Sequence, residues 1–463
     1  MSEKRAPAAA APVEYYEAHK KVYPREIKGR FTTLRIATVW LLLGVYYIGP
    51  WLRWDDRQAI LFDLPARRFY IFSLTLWPQD FIYLTLLLVI SALGLFFVTA
   101  LAGRLWCGYA CPQTVWTEAF LWMERITEGT RAQQMKLARS PWSFQKLWRR
   151  SAKQLLWISF ALWTGYTFVS YFTPATELAS KVLSFSLGPW ETFWILFYSF
   201  ATYGNAGFLR EQVCKYMCPY ARFQSAMFDK DTLIITYDEA RGEPRGSRPR
   251  GVAAATVDRG DCIDCTLCVQ VCPTGIDIRK GLQYECIACA ACIDACDTVM
   301  DKMGDPRGLI RYTTQHALDG GKTHILRPRI AIYGVLLLLI IAAFFGSLLT
   351  RTPLDLDVLH DRSPLYRIIE SGEAENVYTL KILNKDDRPH TFSVSVSDSK
   401  LLQLDPVAPR FTVGAGELFP AVLRVRRDAY AGPSPQTITF TITAEQDAKM
   451  TATADSRFFG PIR

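Results

Sequence analysis

Five stretches of the chain are almost entirely apolar, and charged or polar segments separate them. Each has close to the roughly 20 residues that an α-helix needs to cross a bilayer. The fourth stretch also contains Glu191 and Asn205, so a re-entrant or interfacial helix is the alternative there. The pattern predicts five membrane spans, at Leu34–Trp51, Phe81–Leu101, Gln154–Thr173, Pro189–Gly207 and Ile330–Leu349.

Basic residues cluster beside one set of span ends. The segment before the first span and Arg104–Lys153 are rich in Lys and Arg, whereas Pro174–Pro189 contains only Lys181. Because basic loops stay in the cytoplasm, we expect Phe208–Arg329 to be cytoplasmic and the C-terminal part to lie outside. This bias accounts for the net charge of +9 better than a nucleic-acid groove does.

Two further segments differ from the apolar stretches. Glu239–Val257 is rich in Gly, Pro and Arg, which predicts a flexible linker. After Pro353 apolar and polar residues alternate in short segments between turn residues, which predicts an antiparallel β-sandwich. The predicted strands are Val377–Leu383, His390–Val396, Phe411–Val413, Ala421–Val425 and Thr437–Thr443.

The chain has twelve cysteines, and their spacing differs from that of a secreted disulfide scaffold. Eight of them form the runs Cys262-x2-Cys265-x2-Cys268-x3-Cys272-Pro273 and Cys286-x2-Cys289-x2-Cys292-x3-Cys296. In two-cluster ferredoxins the fourth Cys of such a run binds the other cluster. The runs therefore predict two [4Fe–4S] clusters.

The same rule assigns the ligands. We expect the first cluster to be bound by Cys262, Cys265, Cys268 and Cys296, and the second by Cys286, Cys289, Cys292 and Cys272. Zinc is the alternative, but it would leave the x3-Cys-Pro spacing unexplained. Asp297 follows the second run where Pro273 follows the first, so the local geometry can differ between the clusters.

The other four cysteines form two C-x3-C-P motifs, each after a predicted span that ends in the cytoplasm. We call them the membrane-edge thiols: Cys107 and Cys111 before Pro112, and Cys214 and Cys218 before Pro219. Residues four apart share one helical face, and proline favours a helix end just before it. Thiolates favour Cu(I), zinc or iron–sulfur. Copper, a third cluster, no permanent metal, and simple packing of helix ends all remain open.

Other cofactors are not indicated. No histidine lies in a predicted span, so a bis-His haem inside the bilayer is not expected. No G-x-G-x-x-G follows a predicted strand, and a bound nucleotide is therefore not supported.

Several longer motifs resemble a known family. Thr232–Gly246 reads TLIITYDEARGEPRG, Cys272–Gln283 reads CPTGIDIRKGLQ, and Cys286–Tyr312 includes CIDACDTVMDKMGDPRGLIRY. With both C-x3-C-P motifs, these are similar to the cytochrome c oxidase accessory proteins called CcoG, FixG or RdxA. The resemblance covers nearly the whole chain and includes an immunoglobulin-like C-terminal domain. The membrane half also resembles ferredoxin-type electron carriers of nitrate reduction.

The resemblance implies a location in the bacterial inner membrane and a role in maturing cbb-type cytochrome oxidase. The implied activity is that of a cupric reductase, which makes Cu(I) for a copper-transporting P-type ATPase and works with oxidase assembly factors. On that hypothesis the membrane-edge thiols face the copper. The alternatives are a quinol-coupled electron carrier for another reductase and a non-catalytic assembly scaffold. The sequence does not identify the electron donor or the oligomeric state.

The predicted fold is a multi-domain membrane protein with an α-helical transmembrane bundle, a ferredoxin-like 2[4Fe–4S] insert and an immunoglobulin-like β-sandwich. Its predicted parts are a cytoplasmic N-terminal segment (1–33), a four-span region (34–238), a linker (239–257), the cluster domain (258–328), a fifth span (329–350) and the C-terminal domain (353–463).

Overall fold

The computed structural model describes residues 21–252, 256, 258–386, 388–397 and 401–461 of the 463-residue chain. Residues 1–20 of the predicted N-terminal segment, and 253–255 and 257 of the predicted linker, lie outside the described residues. The chain divides into two compact units, Met1–Ile341 and Ala342–Arg463.

The first unit is mainly helical. Its helices are α1 (Arg30–Ile48), α2 (Phe81–Ala102), α3 (Leu105–Tyr109), α4 (Pro112–Glu128), α5 (Arg131–Arg139), α6 (Phe144–Val169), α7 (Ala175–Leu183), α8 (Pro189–Thr202), α9 (Pro219–Met227), α10 (Glu239–Gly242), α11 (Leu267–Gln270), α12 (Ala291–Met303), α13 (Gln315–Leu318) and α14 (Pro328–Leu349), which runs into the second unit. Two π-helical segments, Tyr203–Leu209 and Val213–Met217, lie between α8 and α9.

Three helical segments of the described chain are long and apolar enough to cross a membrane: Arg30–Trp51, Pro78–Ala102 and Pro328–Leu349. They contain the first, second and fifth predicted spans. The third and fourth predicted spans are also helical, but they lack the combined length and apolar composition of the other three. The first turns of α6 contain charged residues, which lower the mean hydropathy of the helix. Helix α8 has 14 residues and extends only about 21 Å at 1.5 Å per residue. The prediction of five spans is therefore not confirmed.

The ends of these helices lie at two ends of the first unit. At one end, which we call the cluster end, the start of α1 bonds to α12 and the backbone N–H of Leu233 donates to Leu101 at the end of α2, at 3.1 Å. The start of α14 reaches the same end, where Arg329 donates to the Met227 carbonyl at 2.8 Å. At the far end, the N–H of Phe62 donates to Tyr171, just past α6, at 2.7 Å.

Short strands that the sequence analysis did not predict form part of the far end. They are β1 (Arg53–Trp54), β2 (Arg57–Gln58), β3 (Ile60–Asp63), β4 (Arg68–Ile71) and β5 (Leu74–Leu76). Buried Gln58 ties this part to the helices, because its amide donates to the Ser170 carbonyl at 2.8 Å and accepts from the Ala175 N–H at 3.0 Å.

The cluster domain is built on a two-stranded sheet and α12. Strands β6 (Ile234–Tyr237) and β7 (Ile310–Thr313) pair antiparallel. Ile235 and Ile310, both at most 2% exposed, form a core with Met300 of α12. Cysteines of both runs, among them Cys268 and Cys292, pack in this same core.

The predicted linker Glu239–Val257 differs from a free linker where the structure describes it. It begins with α10, and Arg248, only 9% exposed, forms an ion pair with Asp305. Arg241 pairs with Asp261 at 2.5 Å. Its arginines find acidic partners in the cluster domain, and this packing was not visible in the composition.

The second unit contains two antiparallel sheets. One has the order β12-β14-β10-β8 with β9 beside β10, and the other has the order β13-β11-β15-β16. Alternating residues fill the core between the sheets; Ile438, Phe440 and Ile442 of β15 are all fully buried. All five predicted strands are present, among β8 (Leu354–His360), β9 (Arg367–Ile368), β10 (Glu373–Asn384), β11 (His390–Val396), β12 (Gln403–Asp405), β13 (Arg410–Val413), β14 (Leu418–Asp428), β15 (Gln436–Ala444) and β16 (Thr451–Phe458).

Candidate metal centres

The two cysteine runs line two neighbouring cavities, and each run sends its last cysteine to the other cavity. The first cavity is lined by Cys262, Cys265, Cys268 and Cys296. The second is lined by Cys272, Cys286, Cys289 and Cys292, and Cys268 also reaches it. The structure therefore brings together both predicted sets of four thiols.

The two ligand loops repeat the same backbone conformation. Asp264 and Thr266 in the first run have φ of 57° and 55°, and Ala288 and Ala290 in the second have 54° and 60°. Left-handed conformations cost non-glycine residues about 1–2 kcal/mol each, and they persist where the surroundings impose them. Turns of this kind direct backbone N–H groups into a concavity that suits an anionic iron–sulfur group. The N–H of Ala288 already donates to the Cys286 sulfur at 3.4 Å.

The lining of both cavities is apolar. Ile263 and Leu309 border the first cavity, and Ile276 and Ile287 border the second. Burial raises the pKa of Cys268, Cys286 and Cys296 to about 12, so these thiols hold their protons at neutral pH until a metal displaces them.

The thiols surround cavities and do not converge on one point. Within the described part of the chain, no three His, Cys, Asp or Glu side chains approach closely enough to hold a single metal ion. This spacing fits a cubane, whose ligands stand at its separate corners, better than a zinc ion bound by four convergent thiolates.

The two cavities differ in exposure. Cys265 of the first is exposed to solvent, whereas Cys289 of the second is buried. The second cavity lies toward α1, because Asp294 of α12 accepts hydrogen bonds from the N–H and the hydroxyl of Thr32, both at 2.7 Å. Segment 21–29 packs on this side too: the N–H of Arg25 donates to the Gln270 carbonyl at 2.8 Å.

The two C-x3-C-P motifs have similar local structure, although the first segment is α-helical and the second is π-helical. A short helical segment carries the first cysteine, the second cysteine is the N-cap residue, and the proline is the first residue of the next helix. Proline suits that position because its missing N–H would have no intrahelical partner there. The helices end at Tyr109 and Met217, each before the second cysteine of its motif.

The membrane-edge thiols lie together. Cys111 and Cys214 act electrostatically on Cys107, while Cys218 acts on both Cys111 and Cys214. Burial raises the pKa of Cys107 to about 12 and that of Cys214 to about 11. Cys107 also donates to the buried Gln224 amide oxygen at 3.1 Å.

The first membrane-edge motif touches the second cavity. Cys107 packs in the same apolar cluster as Cys289 and Cys292. A Cβ built on Gly108 would lie 2.7 Å from the Ile287 carbonyl oxygen and 2.9 Å from the Ala288 backbone. The backbone of the first motif is therefore in direct contact with the second ligand loop, and Gly108 leaves no room for a side chain there.

The second membrane-edge motif is positioned by features that the sequence analysis missed. A π-helical segment, Tyr203–Leu209, precedes Arg210, whose φ is 42°. Arg210 forms a buried ion pair with Glu124 of α4 at 2.8 Å, and Lys153 of α6 pairs with Glu128 at 2.7 Å. π-Helical turns occur frequently at functional sites. The charged residues at the edges of the apolar runs were the signal available in the sequence.

Two buried arginines near the second cavity were also missed. Arg35 of α1 is 8% exposed and Arg104, just after α2, is 4% exposed. Their charges act on Cys289 and Cys286, respectively. Arg35 lies inside the first predicted span, where a charged residue is by itself a sign of function.

Comparison with sequence families agrees with these sites. Residues 209–315 match a 4Fe–4S dicluster domain, and residues 84–128, which include Cys107 and Cys111, match a 4Fe–4S binding domain. Residues 344–461 match the IG-like fold at the C-terminal of FixG. The iron–sulfur and immunoglobulin-like predictions are thereby confirmed.

Known proteins extend the match over most of the chain. The nitrogen fixation protein FixG of Rhizobium meliloti is 42% identical over 419 residues, which cover 82% of this chain and 80% of FixG. Protein RdxB of Cereibacter sphaeroides is 42% identical over 408 residues, 84% of each chain. The crystal structure of a FixG-related protein from Vibrio parahaemolyticus matches with 25% identity and a TM-score of 0.22, and covers 24% of this chain and all of that one. With relatives this similar over more than four-fifths of its length, the chain belongs to the FixG family of iron–sulfur electron-transfer proteins.

Proposed function

We propose that the protein reduces Cu(II) to Cu(I) at the membrane-edge thiols, with electrons that pass through the two cluster sites. The observation that carries this proposal is the contact of Cys107 and Gly108 with the second ligand loop. When bound, the [4Fe–4S] clusters supply one-electron transfer. One electron from a reduced donor converts one Cu(II) into one Cu(I).

Different residues of the chain serve successive steps of this proposed electron path. Exposed Cys265 marks the side where a soluble donor can approach, and apolar residues around Cys289 keep water from the second site. The membrane-edge thiols come after the second cluster site on this path. Thiolate sulfur binds Cu(I) better than Cu(II), so the site favours the reduced metal once it forms. Binding must release thiol protons, because burial raises the pKa of Cys107 to about 12.

The resemblance to the oxidase accessory proteins supports a destination for the Cu(I). We infer that it passes to a copper-transporting P-type ATPase and serves the maturation of a cbb-type cytochrome oxidase in the bacterial inner membrane. The partners and the process rest on that resemblance alone.

We further propose five membrane crossings with a cytoplasmic cluster domain. The cluster-end contacts of α1, α2 and α14, and the far-end contact just past α6, are what alternating crossings require. The exposed Trp190, Phe193 and Phe200 of α8 suit a lipid-facing surface. A reporter active only outside the cytoplasm should work after Arg463 and be silent within 239–257. The reverse pattern would overturn this orientation.

A double substitution tests the copper proposal. Cys107→Ser with Cys214→Ser should leave iron at about eight per chain and lower both copper affinity and the rate of Cu(I) formation, measured anaerobically with a Cu(I)-specific chelator. Oxidase maturation should fail in cells, most severely when copper is scarce. Normal copper binding and reduction in this variant would contradict the proposal. Cys272→Ser is the matched control, because the same chemical change there should lower iron.

A second candidate function is electron transfer to another reductase through a third cluster. The match of residues 84–128 to a 4Fe–4S binding domain favours it. In that case the wild-type protein should contain about twelve iron atoms, and the double variant should lose about four of them. Iron analysis of one pair of proteins thus separates the two candidates.

A further inference from the structure

The two cluster cavities have different fixed charges around them. At the first cavity, Arg279 is neutralised by Asp277 at 2.8 Å and also pairs with Asp264. Asp297 adds another negative charge beside Cys296. Arg245 also acts on Asp277, but it is itself paired with Glu243 at 3.6 Å, so carboxylates outnumber guanidiniums among these groups.

The second cavity has the opposite balance. Arg35 and Arg125 share one carboxylate, that of Glu118, at 3.5 Å and 3.2 Å. Arg104 also approaches this cavity, and its guanidinium donates to neutral groups, including the Ser225 hydroxyl at 2.8 Å. Among these side chains three guanidiniums stand beside one carboxylate, and Arg35 and Arg104 are the buried ones.

The carboxylate of Asp294 also lies near the second cavity, but it is occupied. It accepts the backbone N–H of Phe31 at 3.2 Å and that of Thr32 at 2.7 Å, at the start of α1. The positive end of the α1 dipole offsets its charge. Asp294 therefore does not cancel the charge of Arg35, which lies one turn further along α1.

Arg35 has hydrogen-bonding capacity left over. Its Nη2 pairs with Glu118, while its Nε is buried and has no hydrogen-bond partner among the described residues. A buried donor without an acceptor is unfavourable, because it has lost its hydrogen bonds to water. Since Arg35 also acts on the Cys289 thiol, a sulfur of the second cluster is the acceptor that its position fits.

We propose that Arg35 holds the reduction potential of the second cluster above that of the first, by placing a buried positive charge beside Cys289. Reduction adds one negative charge to a cluster, and a fixed cation nearby stabilises that charge strongly where the dielectric constant is low. Hydrogen bonds to the sulfurs and nearby charge are known determinants of cluster potential. Electrons would then collect at the cluster nearest the membrane-edge thiols. The proposal needs only the two clusters and does not depend on copper as the substrate.

The test is a redox titration followed by EPR on the full-length protein in detergent. The signal lost in Cys272→Ser identifies the second cluster. Arg35→Gln should make reduction of that cluster at least tenfold less favourable, which is about 59 mV for a one-electron couple. Arg35→Lys should retain most of the wild-type potential, and the first cluster should not change. The matched control is Arg125→Gln, which removes the other partner of Glu118 and should have the smaller effect.

A second variant covers the case in which Arg35→Gln does not assemble. Glu118→Gln removes the counter-charge and leaves the guanidinium, so it should raise the potential of the second cluster. An unchanged second potential in an iron-replete Arg35→Gln protein would overturn the proposal. So would an unchanged or lowered potential in Glu118→Gln. Copper reduction is assayed separately and does not enter this decision.

Discussion

The chain contains two kinds of cysteine motif, the ferredoxin run and the C-x3-C-P motif, and each occurs twice. The two copies have diverged less in the first kind than in the second. The ferredoxin runs have matched backbone conformations and exchange their fourth cysteines, so both cavities have the same construction. The first C-x3-C-P motif packs its Gly108 backbone directly against the second ligand loop, whereas Cys214 of the second borders a cavity that Ile287 of that loop also lines. The second is held by a π-helical segment and the ion pair of Arg210 with Glu124. A repeated motif can thus form one symmetric unit or two halves with different neighbours.

The largest expected effect concerns the exchange of cysteines between the ferredoxin runs. Cys272→Ser should remove about four of eight iron atoms and abolish the signal of the second cluster, because Cys272 lines the second cavity although it belongs to the first run. Iron and sulfide analysis with EPR measures this.

Cys296→Ser is the mirror variant and should affect the first cluster. If each variant damaged the cluster of its own run, the two repeats would be independent and the comparison would fail.

A smaller effect should follow from adding one methyl group to the first membrane-edge motif. Gly108→Ala places a Cβ 2.7 Å from the Ile287 carbonyl oxygen, and overpacking of this kind typically costs about 1–3 kcal/mol. Both clusters should assemble, while electron transfer from the second cluster to the membrane-edge thiols slows. Rapid-mixing kinetics of cluster reoxidation by Cu(II) measures this.

Gly204→Ala is the matched control for that variant. Gly204 lies in the π-helical segment before the second motif, and a Cβ there would meet nothing within 4 Å. If both alanine variants behaved alike, the close approach of the first motif would have no functional meaning.

The sequence predicted best what short spacings determine. The two sets of four thiols follow from residues two and three apart in a chain that must wrap a compact group, and the strands of the second unit follow from alternation. The spans of α2 and α14 were equally clear because no charged residue interrupts their apolar part, and that of α1 was clear despite Arg35.

What the sequence did not predict depends on contacts between distant residues. Strands β1 to β5 are too short to stand out in the sequence, yet Gln58 has hydrogen-bond partners beyond α6. Arg35 looked like one more basic residue near a span end. Its meaning comes from Glu118 and Cys289, more than 80 residues away in the chain. Pattern within one segment carries no information about such partners.

The docking of α1 on α12 has a consequence for how the molecule is made. Thr32 and Arg35 are synthesised long before Asp294 and Cys289, the residues they meet in the finished protein. Because chains emerge from the ribosome N-terminus first, the first helix can enter the bilayer while its partner residues are still untranslated. Iron–sulfur loading then belongs to a late stage of biogenesis. On the proposed topology, the cluster domain then folds onto helix ends that are already held in the membrane.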